Sequence, residues 1–162
     1  MIHGWFWVAV GILTLGGAVE AAIKGNTKMM LVYIAGSYSG RHRIRAEAAK
    51  LPASYNILSR WFNDDDFIEK AWDNDFAGRV AESMAMGDAY AILEADLLIL
   101  DTIDKSSTGG SDTELGLALA LRLRTGKPRI VHIGPHRNIF QTLVREHYPT
   151  WEAYLEHESQ KI

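Results

Sequence analysis

The sequence predicts an α/β protein with a mainly parallel sheet of four to five strands and helices on both faces, in a doubly wound arrangement. Two observations lead to this fold class. From Leu31 onward, short apolar runs of strand length alternate with stretches of helical periodicity. Such alternation produces βαβ units, in which consecutive strands run parallel. A length of 162 residues and a hydrophobic share of 48% suit one globular domain with its own core.

The predicted strands are apolar runs that end at turn residues. Gly36 ends the first run, and the last run lies between Pro128 and Gly134. Pro52 ends the first predicted helix, and Thr150 is placed to cap the last one. The strands are expected at 31–35, 55–58, 96–100 and 129–133. The helices are expected at about 42–50, about 75–94, from a first turn that contains Glu114 to about 123, near 139–143, and from Trp151 onward.

The first 28 residues differ from this pattern, so we divide the chain into an apolar N-terminal segment (1–28) and a domain (29–162). Residues 5–23 form an apolar stretch of about 19 residues interrupted only by Glu20, near the length that spans a bilayer as a helix. Lys24 and Lys28 follow it, which predicts membrane association with the domain in the cytoplasm. Two alternatives stay open: translation that begins at Met29 or Met30, and a buried extra helix.

Composition excludes several classes of function. The formal net charge is −3 and no extended basic run is present, so a nucleic-acid partner is not expected. A small charged metabolite stays open as a ligand, because a few local basic residues suffice to bind it. The chain has no cysteine. Disulfides, thiolate catalysis and cysteine-ligated zinc or iron–sulfur sites are therefore excluded.

Polar and glycine-rich segments follow the predicted strands. In doubly wound sheets, ligands bind at the carboxyl ends of the strands, near the point where strand order reverses. The loops 36–41, 59–61, 101–112 and 134–138 are therefore expected to converge on one site. Within the third of these loops, Gly109 and Gly110 allow the backbone to approach a ligand closely.

Asp88 lies within the apolar stripe of the long helix predicted at 75–94. A carboxylate that faces a sheet must be paired with a cation, face a ligand cavity, or hold a proton because its pKa is raised. If Asp88 is paired with a cation, the partner is expected to be Arg79 or Arg60. If it holds a proton at a ligand cavity, it is a candidate catalytic acid.

The glycine-rich segment 106–118 opens a helix, and Glu114 is expected in the first turn of that helix, where the helix dipole favours negative charge. A carboxylate there beside a protonated acid at position 88 would suit glycosyl transfer, which needs a nucleophile and an acid. The alternative is a capping box, in which Ser111 caps the helix and Glu114 bonds back to the Ser111 N–H.

Several ordered motifs resemble the nucleoside 2-deoxyribosyltransferase family, including a branch often encoded by phages. The likeness covers nearly the whole chain from Met30 onward. Its motifs are Ala-Asp-Leu-Leu-Ile-Leu-Asp-Thr (95–102), Gly-Gly-Ser-Asp-Thr-Glu-Leu-Gly-Leu-Ala-Leu-Ala (109–120), the run Gly-Lys-Pro-Arg-Ile-Val-His-Ile-Gly-Pro-His-Arg-Asn-Ile-Phe (126–140), and the shorter elements 32–36, 59–61 and 148–154.

The resemblance implies a flavodoxin-like fold and a covalent, retaining exchange of a 2-deoxyribosyl group between bases, without a cofactor. Glu114 matches the family's nucleophile, and Asp88 matches the aspartate that handles the proton of the base. Asn138 falls where the family has an asparagine that a neighbouring subunit inserts to contact the 5′ end of the sugar. A homo-oligomer is therefore implied.

One departure from the family concerns the substrate. Classical members of the family place an aspartate six residues before the nucleophile to bind sugar hydroxyls, and here that position is Thr108. A hydroxyl at this position, together with the loop that begins at Gly36, resembles the related deoxynucleoside monophosphate N-glycosidases more closely. Arg41 could pair with a 5′-phosphate while Ser37 and Ser39 bond to it, although an ordinary surface role for Arg41 stays open.

The remaining candidates are weaker. Trp61 could stack on a base, or it could be a core or rim residue. The acidic run 64–66 is interpreted as a solvated turn, and His132 and His136 straddle a strand end and a turn, so no metal site is predicted. The expected activity is deoxyribosyl transfer, with monophosphate N-glycosidase as the alternative and a non-catalytic nucleotide-binding or sensing module as the competing class.

Overall fold

A computed structural model describes residues 28–63, 79–105 and 109–161, and the side chains within that part except those of residues 79–81. Five parallel strands form one sheet in the order β2-β1-β3-β4-β5. The strands are β1 (Met30–Ala35), β2 (Tyr55–Ile57), β3 (Leu97–Asp101), β4 (Arg129–Ile133) and β5 (Glu146–Tyr148).

Helices connect the strands. They are α1 (Arg41–Ala48), α2 (described from Arg79 to Glu94), α3 (Gly110–Thr125) and α4 (Trp151–Ser159), with 3₁₀ helices at Tyr38–Gly40 and Ile139–Leu143. Thr150 caps α4 by accepting a hydrogen bond from the Ala153 N–H, as predicted. The strand order is that of flavodoxin-like doubly wound sheets, and it reverses between β1 and β3.

The four predicted strands are confirmed to within one residue at each end. The fifth, β5, was not located from the sequence because it is only three residues long and reads Glu-His-Tyr. Its backbone pairs with β4 and its position at the sheet edge tolerates polar side chains.

The sheet separates two apolar clusters. One face packs α1 and α4 onto the sheet through residues such as Ile44, Trp151 and Tyr154. The other face holds Tyr33, Ile92 and Leu115, and carries α2 and α3. Strands β3 and β4 lie between other strands and are buried at almost every position, which explains their continuous apolar sequences.

The predicted N-terminal anchor, residues 5–23 of the 1–28 segment, lies outside the described residues. Within the described part of the chain, no helix has the length and apolar character needed to cross a membrane.

Candidate active site

Tyr33 is the centre of a group of three side chains beside the point where strand order reverses. It lies in β1 and is fully buried on the α2–α3 face. Its hydroxyl donates a hydrogen bond of 2.7 Å to Glu114 Oε1. Burial and the nearby carboxyl groups of Glu114 and Asp88 raise the pKa of Tyr33 far above its ordinary value. The phenol therefore stays protonated and acts as a donor.

Glu114 reaches Tyr33 because of where α3 begins. The residue before this helix is Gly109, whose φ of 72° is left-handed, and the first helical residue is Gly110. Glu114 is therefore the fifth residue of α3, one position beyond the first turn in which it was expected, and Asp112 occupies that turn.

The capping box is not formed. Gly109 is the N-cap and offers no side chain, whereas Ser111 is buried within the helix. Thr113 bonds back to the Gly109 carbonyl through its N–H and its hydroxyl. Glu114 instead turns inward to the sheet, so the structural role considered for it from the sequence does not apply.

Asp88 lies on α2 and is half-buried. Burial raises its pKa, and a hydrogen-bonding interaction with the Tyr33 hydroxyl partly opposes this rise. Among the described side chains, no cation contributes to the pKa of Asp88, and Arg60 is exposed. The Arg60 pairing considered from the sequence is therefore not seen; the Arg79 side chain lies outside the described residues.

Burial raises the pKa of Glu114, the Tyr33 hydrogen bond partly opposes this rise, and the charge of Asp88 adds to it, so that the resulting pKa is about 8. Two carboxyl groups that share one donor in a desolvated place titrate as a pair. Near neutral pH this pair favours a form that keeps one proton. One ionised carboxylate beside one carboxylic acid can attack an electrophilic carbon and protonate a leaving group.

The loop after β1 holds the predicted anion-binding residues. The Ser37 and Ser39 hydroxyls lie 2.8 Å apart, and Ser37 also donates to the Lys105 carbonyl. Arg41 stacks its guanidinium on the Tyr38 ring at 4.2 Å from the centroid. At Gly36 the backbone runs against Ile44, so that a Cβ would stand 2.6 Å from its Cδ1.

Trp61 is half-buried and is hydrogen-bonded to β1. Its indole N–H donates to the Ile34 carbonyl at 2.8 Å, and its ring contacts Phe62 edge-on. The ring packs against the apolar cluster of the α1–α4 face. This placement corresponds to the core or rim role considered from the sequence.

Asn138 is the N-cap of the 3₁₀ helix Ile139–Leu143, with its carbonyl oxygen accepting from the N–H groups of Phe140 and Gln141. Its amide donates to Asp112 Oδ1 at 2.8 Å, in the first turn of α3. Gln141 donates to the same oxygen. The structure thus brings Asn138 to the start of the helix that carries Glu114. Thr108, the residue that bears on substrate choice, lies outside the described residues.

A further acid, near the carboxyl end of β3, has its negative charge compensated by an arginine and by other hydrogen-bond donors. Asp101 ends β3, is 2% exposed, and accepts two hydrogen bonds from Arg43 at 2.8 and 2.9 Å. The Trp151 indole and the Ile103 N–H also donate to it. This acid lies on the α1–α4 face, where Arg43, Trp151 and neighbouring residues line a groove.

Three histidines meet near the carboxyl ends of β4 and β5, at the β5 edge of the sheet. His132, His136 and His147 each place a ring nitrogen within 4.8 Å of the others. His132 is fully buried, and burial together with His147 and His136 lowers its pKa to about 4. Only His132 and His136 were candidates from the sequence, because the pairing of β5 with β4 is what brings His147 beside them.

Sequence reasoning also missed Tyr33. A tyrosine among aliphatic residues in a buried strand is ordinarily a core residue, and the available signal was its hydroxyl, which requires a partner when buried. The predicted site residues within the described part of the chain lie in the loops after β1, β2, β3 and β4, at the first residue of α1, or on α2 and α3.

No protein-family model and no curated protein sequence matches this chain. Among solved structures, the chain is similar to the CMP N-glycosidase BcmB of Clostridium botulinum, at 19% sequence identity and a TM-score of 0.45. That similarity covers 81% of this chain and 98% of the other one.

Proposed function

We propose that this protein cleaves the N-glycosidic bond of 2-deoxynucleosides and transfers the 2-deoxyribosyl group to a second base through a covalent ester with Glu114. One observation carries the proposal: the buried Tyr33 hydroxyl donates to Glu114 Oε1 and also interacts with Asp88, so two acids with raised pKa values meet at the point where strand order reverses. The family resemblance of the motifs around these residues supports the same chemistry.

In the proposed first step, an ionised Glu114 oxygen attacks C1′ and the bond from C1′ to the base nitrogen breaks. The electron pair of that bond goes to the base, and Asp88 supplies the proton that neutralises it. Tyr33 stays protonated and stabilises the ionised form of Glu114 before attack. Because the hydrogen bond opposes the effect of burial, it keeps the pKa of Glu114 at about 8. Near neutral pH the ionised nucleophile, with the proton of the pair on Asp88, is then the minor form from which the reaction starts.

In the second step, an acceptor attacks C1′ from the face that the base left, and Glu114 is released as a carboxylate. Asp88, now ionised, takes the proton of the acceptor. A purine or pyrimidine acceptor gives transfer, whereas water gives hydrolysis. Two displacements at C1′ retain its configuration.

The alternative is a deoxynucleoside 5′-monophosphate N-glycosidase, and the loop after β1 favours it. The Ser37 and Ser39 hydroxyls lie side by side, and Arg41 provides a positive charge in the same loop. Hydroxyl groups and a guanidinium are suitable donors to a phosphate. For this activity Arg41 exchanges its stacking on Tyr38 for contact with the anion.

Incubation with substrates distinguishes the two activities. The full-length protein is incubated with a deoxynucleoside and a different free base, and separately with deoxynucleoside 5′-monophosphates, and the products are separated by chromatography. A new deoxynucleoside indicates transfer, and a free base from the monophosphate indicates the glycosidase. If neither substrate is cleaved but one of them raises the melting temperature, the protein is a binding or sensing module and the proposal is wrong.

We further propose that the protein is a homo-oligomer. Met86, Tyr90 and Leu93 follow one another at helical spacing along α2 and are each about half exposed. Ile139, Phe140 and Leu143 are exposed in the 3₁₀ helix directly after Asn138. Apolar patches of this kind are typical of subunit interfaces. Light scattering on the purified protein tests this, and a monomer at micromolar concentration would contradict it.

A further inference from the structure

We propose that His132, His136 and His147 bind a divalent transition-metal ion, with zinc as the preferred ion. The site is separate from the Glu114 group, and the proposal does not depend on the glycosyl-transfer activity. The three rings are in mutual contact, with centroids 4.3 to 4.8 Å apart, and one nitrogen of each lies within 4.8 Å of the others. Three imidazoles and a water molecule are an established ligand set for zinc.

The hydrogen bonds of the first ring determine which of its nitrogens is available. Thr102 Oγ1 lies 2.7 Å from the Pro135 carbonyl and 2.7 Å from His132 Nε2. The hydroxyl has one hydrogen, and a carbonyl can only accept, so Thr102 donates to Pro135 and accepts from the Nε2–H of His132. The Nδ1 of His132 then carries a lone pair. That atom is buried and has no hydrogen-bond partner.

The edge strand supplies a second lone pair in the same way. His147 Nε2 lies 2.6 Å from the Gly134 carbonyl, which can only accept, so this nitrogen carries the hydrogen and Nδ1 is unprotonated. In both rings the nitrogen remote from the proposed ion is thus held by a hydrogen bond. Metal-binding histidines almost always have this arrangement, because it fixes the tautomer and the orientation of the ring.

The backbone at Gly134 makes the arrangement possible. Its φ is 104°, and a Cβ there would stand 2.9 Å from Thr102 Oγ1 and 2.8 Å from the Ile103 N. Glycine therefore lets the turn lie close enough to Thr102 for the hydroxyl to bond both Pro135 and His132.

The distances require a modest closure of the cluster. Zinc–nitrogen bonds of about 2.0–2.1 Å in a tetrahedral site place the ligand nitrogens about 3.3 Å apart. His136 and His147 are exposed, so their rings can rotate towards the buried His132 without opening the core. A bound ion would join β4, the loop 134–138 and the edge strand β5, and so would hold the segment that leads to Asn138.

Calorimetric titration of the full-length, tag-free chain with zinc chloride tests the proposal, with cobalt(II) as a spectroscopic probe. One ion per chain and the intense visible absorption of tetrahedral cobalt are expected. His136→Ala and His147→Ala are each expected to weaken binding by about tenfold or more, since each removes one of three protein ligands. His42→Ala, which changes an exposed histidine on α1, is the matched control and should leave binding unchanged.

Thermal unfolding provides an independent readout. Zinc at about 100 times its dissociation constant stabilises a protein by about 2.7 kcal/mol, so the melting temperature should rise in the parent protein and in His42→Ala only. The proposal is wrong if the His136→Ala, His147→Ala double variant binds zinc as tightly as the parent. The weak absorption of octahedral cobalt would equally contradict it.

Discussion

Glu114 and Asp101 are two acids in similar positions whose surroundings differ, and the difference separates a reactive group from a structural one. Asp101, at the end of β3, has the guanidinium of Arg43, an indole N–H and a backbone N–H as donors. Glu114 has a neutral phenol as its partner and a second acid close by. The guanidinium of Arg43 compensates the charge of Asp101, whereas burial raises the pKa of Glu114. The two faces of the sheet therefore hold acids with different chemistry.

Replacing the proposed nucleophile should have the largest effect. Glu114→Gln keeps the shape of the side chain but cannot form the glycosyl ester, so we expect deoxyribosyl transfer to fall by about 10³-fold or more. Product formation followed by chromatography checks this. Glu82→Gln, a change of an exposed acid on α2, is the control and should retain full activity. A Glu114→Gln variant with near-normal turnover would show that Glu114 is not the nucleophile.

Asp88→Asn should reduce activity by about 10²-fold, because a general acid contributes roughly this much. The loss should depend on the leaving group. With 7-methyl-2′-deoxyguanosine, whose base already carries a positive charge and needs no proton to depart, the variant should approach the activity of the parent protein. Kinetics on both substrates provide the comparison. An equal loss on the two would contradict the role of Asp88 as the acid.

Asp101→Asn should destabilise the protein by about 2–3 kcal/mol, because the buried pair with Arg43 loses its charge and one of its acceptors. Asp104→Asn is the matched control. It removes a more exposed acid that bonds the same guanidinium, so we expect a loss of about 1 kcal/mol or less. Urea unfolding at neutral pH measures both. Equal losses would mean that burial does not distinguish the two acids.

Tyr33→Phe should lower activity by about tenfold and move the pH dependence of kcat/KM to higher pH. The hydroxyl hydrogen bond lowers the pKa of Glu114 and of Asp88, so its removal raises both. In the parent protein the alkaline limb of the profile is expected near pH 8, where the pair loses its last proton. Tyr90→Phe, a change of an exposed tyrosine, should leave the profile unchanged. If the pH profile of Tyr33→Phe is the same as that of the parent protein, the Tyr33 hydroxyl does not control the pKa values of the two acids.

The smallest expected effect concerns the stability of Glu114→Gln. In the folded protein Glu114 keeps its proton up to about pH 8, whereas in the unfolded chain it ionises near its ordinary pKa of 4.5. Folding is therefore opposed progressively as the pH rises through this window, and the glutamine variant escapes this cost.

We expect Glu114→Gln to melt about 2–4 °C above the parent protein near pH 9, as for about 1 kcal/mol in a chain of this size, and at nearly the same temperature near pH 5. Scanning calorimetry at the two pH values measures the difference. A lower melting temperature for the variant near pH 9 would mean that the carboxylate stabilises the fold, as Asp101 does.

The main features of the fold followed from the sequence because apolar runs, glycines and prolines mark the buried strands and their ends. Asp88 and Glu114 could be assigned to one site because an acid on an apolar helix stripe and an acid at a helix start together suit glycosyl transfer, and because both match site residues of the family that the motifs resemble. Tyr33 and His147 could not be placed. The first requires the distance between β1 and α3, and the second requires the register of a three-residue strand, and neither is encoded by local periodicity.

The position of Glu114 within its helix was wrong for a related reason. The pattern Ser111-Asp112-Thr113-Glu114 fits a capping box, but the left-handed Gly109 begins the helix earlier and turns the glutamate to the sheet. The local motif would bond the Glu114 carboxylate to the Ser111 N–H, but in the folded protein the carboxylate accepts a hydrogen bond from the Tyr33 hydroxyl instead.

The most direct test of the central claim is capture of the glycosyl ester. The protein is mixed with a cleavable deoxynucleoside in the absence of an acceptor base, quenched in acid during turnover and digested, and the peptides are analysed by mass spectrometry. We expect one peptide to gain the mass of a deoxyribosyl group, with fragmentation that assigns it to Glu114. Turnover without any labelled peptide, or a label on another residue, would contradict the account.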